Sequence, residues 1–153
     1  MKKVYYTWQQ VADSINDIIL EMFKEEWKPD LVVGLTRGGL APAVLLSNKT
    51  GIPMETLDVR LRDTFDGYQA ERNTSIPSRI SKGKNILIVD DINDTGETLK
   101  WIKNDWGLDG HWHDNLRVAC ITNNDGSCFE IDYSSIHINK LEDPCWIVFP
   151  WEE

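Results

Sequence analysis

The most informative stretch of this sequence is Asn85-Ile-Leu-Ile-Val-Asp90-Asp91-Ile-Asn93-Asp94-Thr95-Gly96-Glu97-Thr98-Leu99. Its first part, Ile86 to Val89, is apolar and does not alternate with polar residues, a pattern typical of a strand that is buried on both faces. Two carboxylates follow, then a turn, and then a small hydroxylated segment that leads into apolar residues. We therefore predict a strand–turn–helix unit with acidic residues at the carboxyl end of the strand.

This unit would bring two kinds of chemistry to one edge of a sheet. Open α/β sheets bind ligands at the carboxyl ends of their strands, and helix N-termini present free N–H groups to phosphates. Asp90 and Asp91 would repel a phosphate, so we expect them to accept hydrogen bonds from neighbouring hydroxyls or to help hold a hard cation. A phosphate site beside a diol or metal site is what a phosphorylated sugar requires.

Three alternative structures can be considered for the same residues. An EF-hand calcium loop needs a glutamate at its twelfth position, which here is Ile102. A Walker A loop needs a lysine that Gly96-Glu97-Thr98 does not supply. A core strand followed by a helix with Thr95 or Asp94 as its N-cap is the structural alternative, but it leaves the two further acids unexplained.

The stretch resembles the phosphoribosyl-pyrophosphate (PRPP) motif of the type I phosphoribosyltransferases. The match runs from Ile86 to Thr98 and covers the apolar strand, the acid pair and the Asp-Thr-Gly-x-Thr run. The resemblance implies that the ribose and 5′-phosphate of PRPP are bound by Asp90, Asp91, Asp94, Thr95, Gly96, Glu97 and Thr98. It also implies that Asp90 and Asp91 help to bind Mg²⁺, and that Asp94 is the catalytic residue that takes the proton from the incoming base.

A second informative turn follows the predicted strand Leu31–Leu35. It reads Thr36-Arg37-Gly38-Gly39 and leads into an apolar helix to about Thr50, with Gly51 as its stop. The glycines allow close approach of a ligand, and the arginine offers a planar set of donors suited to phosphate. A tight turn with a solvated arginine is the alternative. The turn resembles the pyrophosphate-binding loop of the xanthine–guanine phosphoribosyltransferases, which implies pyrophosphate binding and a cis peptide near Thr36–Arg37.

The remaining pattern predicts alternating helices and strands. Thr7 and Gln10 have the spacing of a capping box before an amphipathic helix that runs from about Trp8 to about Trp27. A turn is predicted at Asn123-Asn124-Asp125-Gly126. The other predicted elements are strands at Met54–Leu61, Leu116–Thr122 and Tyr133–Ile138 and a helix at Glu97–Trp106.

Residues 62–82 show no clear periodicity. A segment of this length without an element is often functional. In the resembled family a flexible loop in this place closes over PRPP, which keeps a cation-like sugar transition state away from water, and we expect the same here. A surface hairpin is the alternative, since Thr64-Phe65 and Tyr68 could pair.

The segment 140–153 is unusually aromatic, with Trp146, Phe149 and Trp151. Side chains of this size are expected to fold back onto the protein, either as core packing or as a cover that stacks on a nucleobase. The run resembles the C-terminal hood of the xanthine–guanine and archaeal hypoxanthine phosphoribosyltransferases. This implies that Trp146 stacks on the base while the backbone of Ile147 meets its edge.

One departure from the family concerns the base. The resembled purine enzymes carry a lysine just after the strand corresponding to Leu116–Ile121, where it contacts the 6-oxo group. This chain has Thr122-Asn123-Asn124 there and no lysine until Lys140. A neutral amide can hydrogen-bond a base edge but discriminates between bases differently.

Composition limits the class of protein. The 153 residues carry a net charge of −9 with a pI near 4.8, which disfavours nucleic acid as a partner. No apolar run approaches a membrane span, and Met1 to Tyr6 lack the apolar h-region of a signal peptide, so we expect neither feature. The three cysteines lack CxxC spacing, which is typical of reduced thiols in a cytoplasmic protein. We expect one domain over residues 1–153.

The resemblance implies an α/β fold of the Rossmann-like type I phosphoribosyltransferase kind, with a central parallel sheet flanked by helices and a small C-terminal hood. The implied function is Mg²⁺-dependent transfer of the 5-phosphoribosyl group from PRPP to a nucleobase in purine salvage, with release of pyrophosphate. A 6-oxopurine (xanthine, guanine or hypoxanthine) is the expected acceptor, and a homo-oligomer is expected. The alternatives are a non-catalytic PRPP-binding regulatory protein and a phosphoribosyltransferase for a different acceptor.

Overall fold

The computed structural model describes residues 1–61, 68–70, 75–106 and 115–153 of the chain. Its strands are β1 (Lys2–Tyr5), β2 (Leu31–Thr36), β3 (Met54–Leu61), β4 (Tyr68–Ala70), β5 (Ile86–Asn93), β6 (Leu116–Asn124), β7 (Tyr133–Ile138) and β8 (Cys145–Val148). Its α-helices are α1 (Trp8–Lys24), α2 (Leu40–Thr50), α3 (Ser75–Ser81) and α4 (Glu97–Trp106), and a 3₁₀ turn covers Pro150–Glu152.

Six strands form the central sheet in the order β4-β3-β2-β5-β6-β7. All neighbouring pairs are parallel except β3 and β4, which are antiparallel. Helix α2 connects β2 to β3 and α4 connects β5 to β6, as parallel neighbours require. Strands β2 and β5 are adjacent, so the turns at their carboxyl ends lie at the same edge of the sheet. The predicted α/β fold with a central parallel sheet flanked by helices is confirmed.

Strand β5 is buried on both faces, which explains its uninterrupted apolar run. Leu87 and Val89 pack in a core with residues of α1 and α2, while Ile86 and Ile88 pack in a second core with residues of α3 and α4. Each of these four side chains is at most 1% exposed. Among the helices that the structure describes, none is long and apolar enough to cross a membrane.

The aromatic tail folds into a small separate sheet. Strand β8 pairs in parallel with β1, with Lys2 opposite Cys145 and Tyr5 opposite Val148. The Tyr6 ring meets Phe149 edge-on at a centroid distance of 5.3 Å, which ties this sheet to the start of α1. The sequence pattern predicted a cover from residues 140–153 only, and it missed the contribution of β1.

Several element boundaries differ from the predicted ones. The capping box is confirmed, since Thr7 Oγ1 accepts from the Gln10 amide at 3.1 Å and Gln10 Oε1 accepts from the Thr7 amide at 2.8 Å. Helix α1 ends at Lys24, short of the predicted Trp27, because the chain turns through Glu26 at a φ of 56°. Helix α2 stops at Gly51, as predicted, in the left-handed conformation.

The prediction that residues 62–82 lack a regular element is wrong for two parts of that segment. Strand β4 pairs with β3, with Leu61 opposite Tyr68, in the manner of the hairpin alternative. Helix α3 buries Ile76 and Ile80 in the second core. Residues 62–67 and 71–74 lie outside the described residues, and loop closure stays a prediction.

Candidate active site

Two turns meet at the carboxyl edge of the sheet, one after β2 and one after β5. The first holds Arg37, Gly38 and Gly39, and the peptide between Thr36 and Arg37 is cis, as the family resemblance implied. The hydroxyl of Thr36 donates to Asp58 Oδ1 at 2.8 Å, so this side chain is tied to the neighbouring strand β3. Because β2 and β5 are hydrogen-bonded neighbours, the arginine turn lies beside the acid pair of β5.

The glycines of the first turn permit a very close approach to β5. A Cβ atom on Gly38 would lie 2.5 Å from the carboxyl carbon of Asp91. A Cβ atom on Gly39 would lie 2.8 Å from the Leu35 carbonyl oxygen, and the Gly39 amide donates to that same oxygen at 2.8 Å. A Cβ at Gly39 would meet fixed backbone and a Cβ at Gly38 would displace the Asp91 carboxylate, so this pair of glycines is what allows the Arg37 turn to lie against that carboxylate.

The acid pair carries negative charge that the fold compensates only in part. Burial, and then the repulsion of Asp91, raises the pKa of Asp90 well above its ordinary value, and burial also raises the pKa of Asp91. Backbone amides offset this in part: the Asp91 amide donates to Asp90 Oδ1 at 2.9 Å and the Ile92 amide to Asp91 Oδ1 at 2.7 Å. The ionised pair would therefore be stabilised by hydroxyl donors or by a cation.

The donor chemistry of this pair fits a hard divalent cation. Carboxylate oxygens are the ligands that Mg²⁺ prefers, and Mg²⁺ commonly binds through one or two carboxylates together with substrate phosphates and water. Within the described residues, no cluster of three or more His, Cys, Asp or Glu side chains could hold a metal ion. The carboxylate oxygens of Asp90 and Asp91 are therefore suited as ligands of a hard cation.

The second turn forms the N-terminus of α4. Gly96 has a φ of 87°, and a Cβ atom there would lie 2.6 Å from the Phe129 backbone nitrogen, so only glycine fits. The Glu97 amide donates to Thr95 Oγ1 at 3.3 Å, and the Glu97 side chain is exposed. A cleft of about 240 Å³ is lined by Asp90, Asp91, Ile92, Asn93, Asp94, Thr95, Gly96, Thr98 and Leu99.

A buried amide network holds this second turn in place. Asn93 Nδ2 donates to Asn123 Oδ1 and to the Phe129 carbonyl oxygen, both at 2.8 Å. The Ser127 hydroxyl donates to Asn93 Oδ1 at 3.0 Å, and Asn124 Nδ2 donates to the Asp94 carbonyl oxygen at 3.0 Å. Asn123 and Asn124 extend strand β6, so the turn predicted at 123–126 is confirmed in part: Asp125 and Gly126 form it, and the Ser127 amide closes it by donating to the Asn124 carbonyl oxygen at 2.9 Å.

A second cleft, of about 670 Å³, joins the arginine turn to the aromatic tail. It is lined by Arg37, Gly38, Leu40, Ala41, Asp91, Trp151 and Glu152. Trp151 stacks on Phe149 at a centroid distance of 4.9 Å, and its buried indole N–H has no hydrogen-bond partner among the residues that the structure describes. Asp91 lines both clefts and is the residue that they share.

Trp146 and Ile147 lie on β8, apart from both clefts. The Trp146 side chain is 54% exposed, which leaves its ring available to a ligand, whereas Ile147 is 6% exposed and pairs with Val4. Lys140 connects this region to the second turn: its Nζ donates to Asp94 Oδ2 at 2.9 Å and lies 5.7 Å from the centroid of the Trp146 ring.

The structure therefore brings together most of the predicted site residues. The smaller cleft holds the two acids, Asp94 and most of the second turn, and the larger holds Arg37 and Gly38. Thr36, Gly39 and Glu97 support these turns without lining either cleft. The sequence interpretation missed the structural roles of Asn93 and Asn124 and the position of Lys140, for which no local signal exists.

Comparison with known proteins agrees with this geometry. A family model described as the phosphoribosyl transferase domain matches residues 2–153. The xanthine-guanine phosphoribosyltransferase of Cereibacter sphaeroides is 28% identical over 130 residues, which are 79% of this chain and 68% of that protein. Its counterpart from Chromohalobacter salexigens is 25% identical over 151 residues, which are 95% of this chain and 82% of that protein.

Solved structures give the same picture. The crystal structure of a purine phosphoribosyltransferase from Pyrococcus horikoshii is 31% identical, with a TM-score of 0.76 over 100% of this chain and 95% of the other. A Helicobacter pylori xanthine-guanine-hypoxanthine phosphoribosyltransferase shares the fold at 19% identity, with a TM-score of 0.79 over 98% of this chain and 94% of the other. The resemblance predicted from the sequence motifs is confirmed.

Proposed function

Because the chain belongs to the phosphoribosyltransferase domain family, we propose that it transfers the 5-phosphoribosyl group of PRPP to a 6-oxopurine. Pyrophosphate is the leaving group, and the reaction serves purine salvage. Relatives are named for xanthine, guanine and hypoxanthine, which supports this acceptor class. We also propose that the protein acts as a homo-oligomer in the cytoplasm.

The observation that carries the proposal is the position of Asp91 between the two clefts. PRPP bears a pyrophosphate at one end of its ribose, a phosphate at the other, and two hydroxyls between them. One cleft offers an arginine and a glycine turn, and the other offers a helix N-terminus. The acids at their junction would accept hydrogen bonds from the ribose hydroxyls.

Each predicted residue then has a role in binding. The hydroxyls and amides of Thr95, Gly96, Glu97 and Thr98 would hold the 5′-phosphate at the start of α4. The turn Thr36-Arg37-Gly38-Gly39 would hold the pyrophosphate, with Arg37 supplying the charge and the glycines supplying close backbone approach. Asp90 and Asp91 would hold Mg²⁺ together with the ribose hydroxyls, and the metal would neutralise charge on the pyrophosphate.

The base would enter from the side of β8. Trp146 presents an exposed ring on which a purine can stack. The backbone of Ile147 would then meet the base edge. Asp94, whose side chain is 40% exposed, can be reached from the same side and would take the proton from the attacking base nitrogen. Closure of the segment between β3 and α3 would keep water from the ribosyl cation-like transition state.

The proposal is tested by measuring pyrophosphate release from PRPP and Mg²⁺ with one base at a time: xanthine, guanine, hypoxanthine, adenine, uracil and orotate. We expect release with 6-oxopurines. Release with another base only would replace the acceptor class. Mg²⁺-dependent PRPP binding by calorimetry without any release would favour a regulatory PRPP-binding protein, and absence of PRPP binding would refute the site.

A further inference from the structure

Lys140 is held in a fixed position relative to Asp94. Its backbone amide donates to Asn124 Oδ1 at 3.1 Å, and Asn124 Nδ2 donates to the backbone carbonyl of Asp94 at 3.0 Å. One asparagine thus joins the two backbones. The Lys140 side chain is only 21% exposed, so its ammonium is directed by packing as well as by charge.

The Lys140 ammonium lies between two groups that the proposed base would contact. It donates to Asp94 Oδ2 at 2.9 Å, and it lies 5.7 Å from the centroid of the Trp146 ring. Stacked aromatic rings have centroids about 4.5–7 Å apart. The ammonium lies over the Trp146 ring, so a base that stacks on the same face, offset from the ammonium, would bring its rim against it.

The hydrogen-bonding capacity of the Lys140 ammonium determines which exocyclic groups of a base it can contact. A lysine ammonium has three donors and no acceptor. One donor is used by Asp94, which leaves others for a neighbouring oxygen. An exocyclic carbonyl or enolate oxygen accepts such a bond, whereas an exocyclic amino group is itself a donor and would leave the ammonium unsatisfied. A site built to hydrogen-bond one group rejects an analogue that lacks it.

We propose that Lys140 is the specificity-determining residue of the base site, donating to an exocyclic oxygen of the base stacked on Trp146 while it stays bonded to Asp94. The residue comes from the segment between β7 and β8, and not from the end of β6 as in the resembled purine enzymes. The acceptor is then an oxopurine in preference to an aminopurine. This inference rests on the proposed phosphoribosyl transfer.

The test compares Lys140→Met, Lys140→Arg and wild type in pyrophosphate release with hypoxanthine and with adenine at saturating PRPP. Lys49→Met is the matched control, since Lys49 donates to Asn16 Oδ1 at 3.0 Å on the exposed surface of α2. We expect Lys140→Met to lower kcat/KM for hypoxanthine by about 10- to 100-fold, the loss typical of a hydrogen bond to a charged group. Adenine should be affected far less, Lys140→Arg should keep part of the preference, and the control should match wild type.

PRPP binding by calorimetry, without a base, shows whether each variant is folded, and we expect affinities within about two-fold of wild type because Lys140 lies on the base side. An unchanged hypoxanthine-to-adenine ratio in Lys140→Met would overturn the assignment while leaving the proposed function intact. A wild-type preference for adenine would overturn the assignment together with the proposed 6-oxopurine acceptor. Failure of wild type with every base would overturn both.

Discussion

Replacing Gly38 by alanine should lower the activity that depends on the arginine turn while leaving the stability of the protein almost unchanged. The new Cβ would lie 2.5 Å from the carboxyl carbon of Asp91, against about 3.4 Å for an ordinary contact. The Asp91 side chain is movable, so it would shift by about 1 Å rather than force the backbone apart. A misplacement of this size at a reacting centre can cost about 10²-fold in rate.

We therefore expect Gly38→Ala to lower kcat/KM for PRPP by about 10²-fold. The free energy of unfolding should change little, because the lower unfolded-state entropy of alanine, worth about 0.4–1 kcal/mol, offsets the local adjustment. Gly39→Ala is the matched control at the next residue. Its Cβ would meet the backbone of Leu35 and Val89, which cannot move aside in the same way.

Overpacking of this kind costs about 1–3 kcal/mol, and for a chain of this size each 1 kcal/mol lowers Tm by roughly 2–4 °C. Gly39→Ala should thus lower Tm by about 2–12 °C, whereas Gly38→Ala should stay near the wild-type Tm. Scanning calorimetry measures Tm, and initial rates of pyrophosphate release measure kcat/KM for PRPP. A Gly38→Ala protein with kcat/KM for PRPP within about three-fold of wild type would refute the role of Asp91 between the clefts.

Other substitutions test the remaining roles. Asp94→Asn should lower kcat by about 10²–10⁴-fold with PRPP affinity retained. Near-normal turnover in the pyrophosphate-release assay would show that Asp94 has no part in the proton transfer. Trp146→Ala should raise KM for the base by about 5- to 150-fold, as expected for a lost stacking contact, and equal effects on PRPP would indicate packing only. Asp90→Asn should raise the Tm of the metal-free protein at neutral pH, because burial and the repulsion of Asp91 raise the pKa of Asp90 and make its ionised form unfavourable. This gain should shrink as the pH falls from the raised pKa toward the ordinary value of 3.8, where the wild-type carboxyl is protonated, so a gain that persists there would contradict the explanation.

Much of the fold and of the candidate site could be predicted because its signals are local. The run Ile86–Val89 has four apolar residues in succession only because both faces of β5 are covered. The acid pair and the two glycine turns are short motifs whose chemistry can be stated without a partner. The boundaries were less predictable: β5 continues to Asn93 because that polar side chain is buried against Asn123, which no local pattern reveals.

Helix α3 and the position of Lys140 could not be predicted from the sequence. Ile76 and Ile80 have the four-residue spacing of a buried helix face, but Pro77 obscured it, although proline is tolerated in a first turn. Lys140 reaches Asp94 across 46 residues, through a backbone contact with Asn124 that exists only in the folded chain. Contacts of this kind depend on tertiary packing rather than on residue type.

The pairing of β1 with β8 has a consequence for the order in which the molecule assembles. Lys2 and Cys145 are 143 residues apart (145 − 2), so their contact closes one of the longest loops that this sequence allows. Long-range contacts stabilise the fold only after the entropy cost of closing the loop has been met, and a two-stranded sheet alone is only marginally stable. We expect the cover over the base to form after the parallel sheet and to open before it. A partly opened molecule would then keep the smaller cleft at the start of α4, and would lose the proposed base-stacking face together with the part of the larger cleft that Trp151 and Glu152 line.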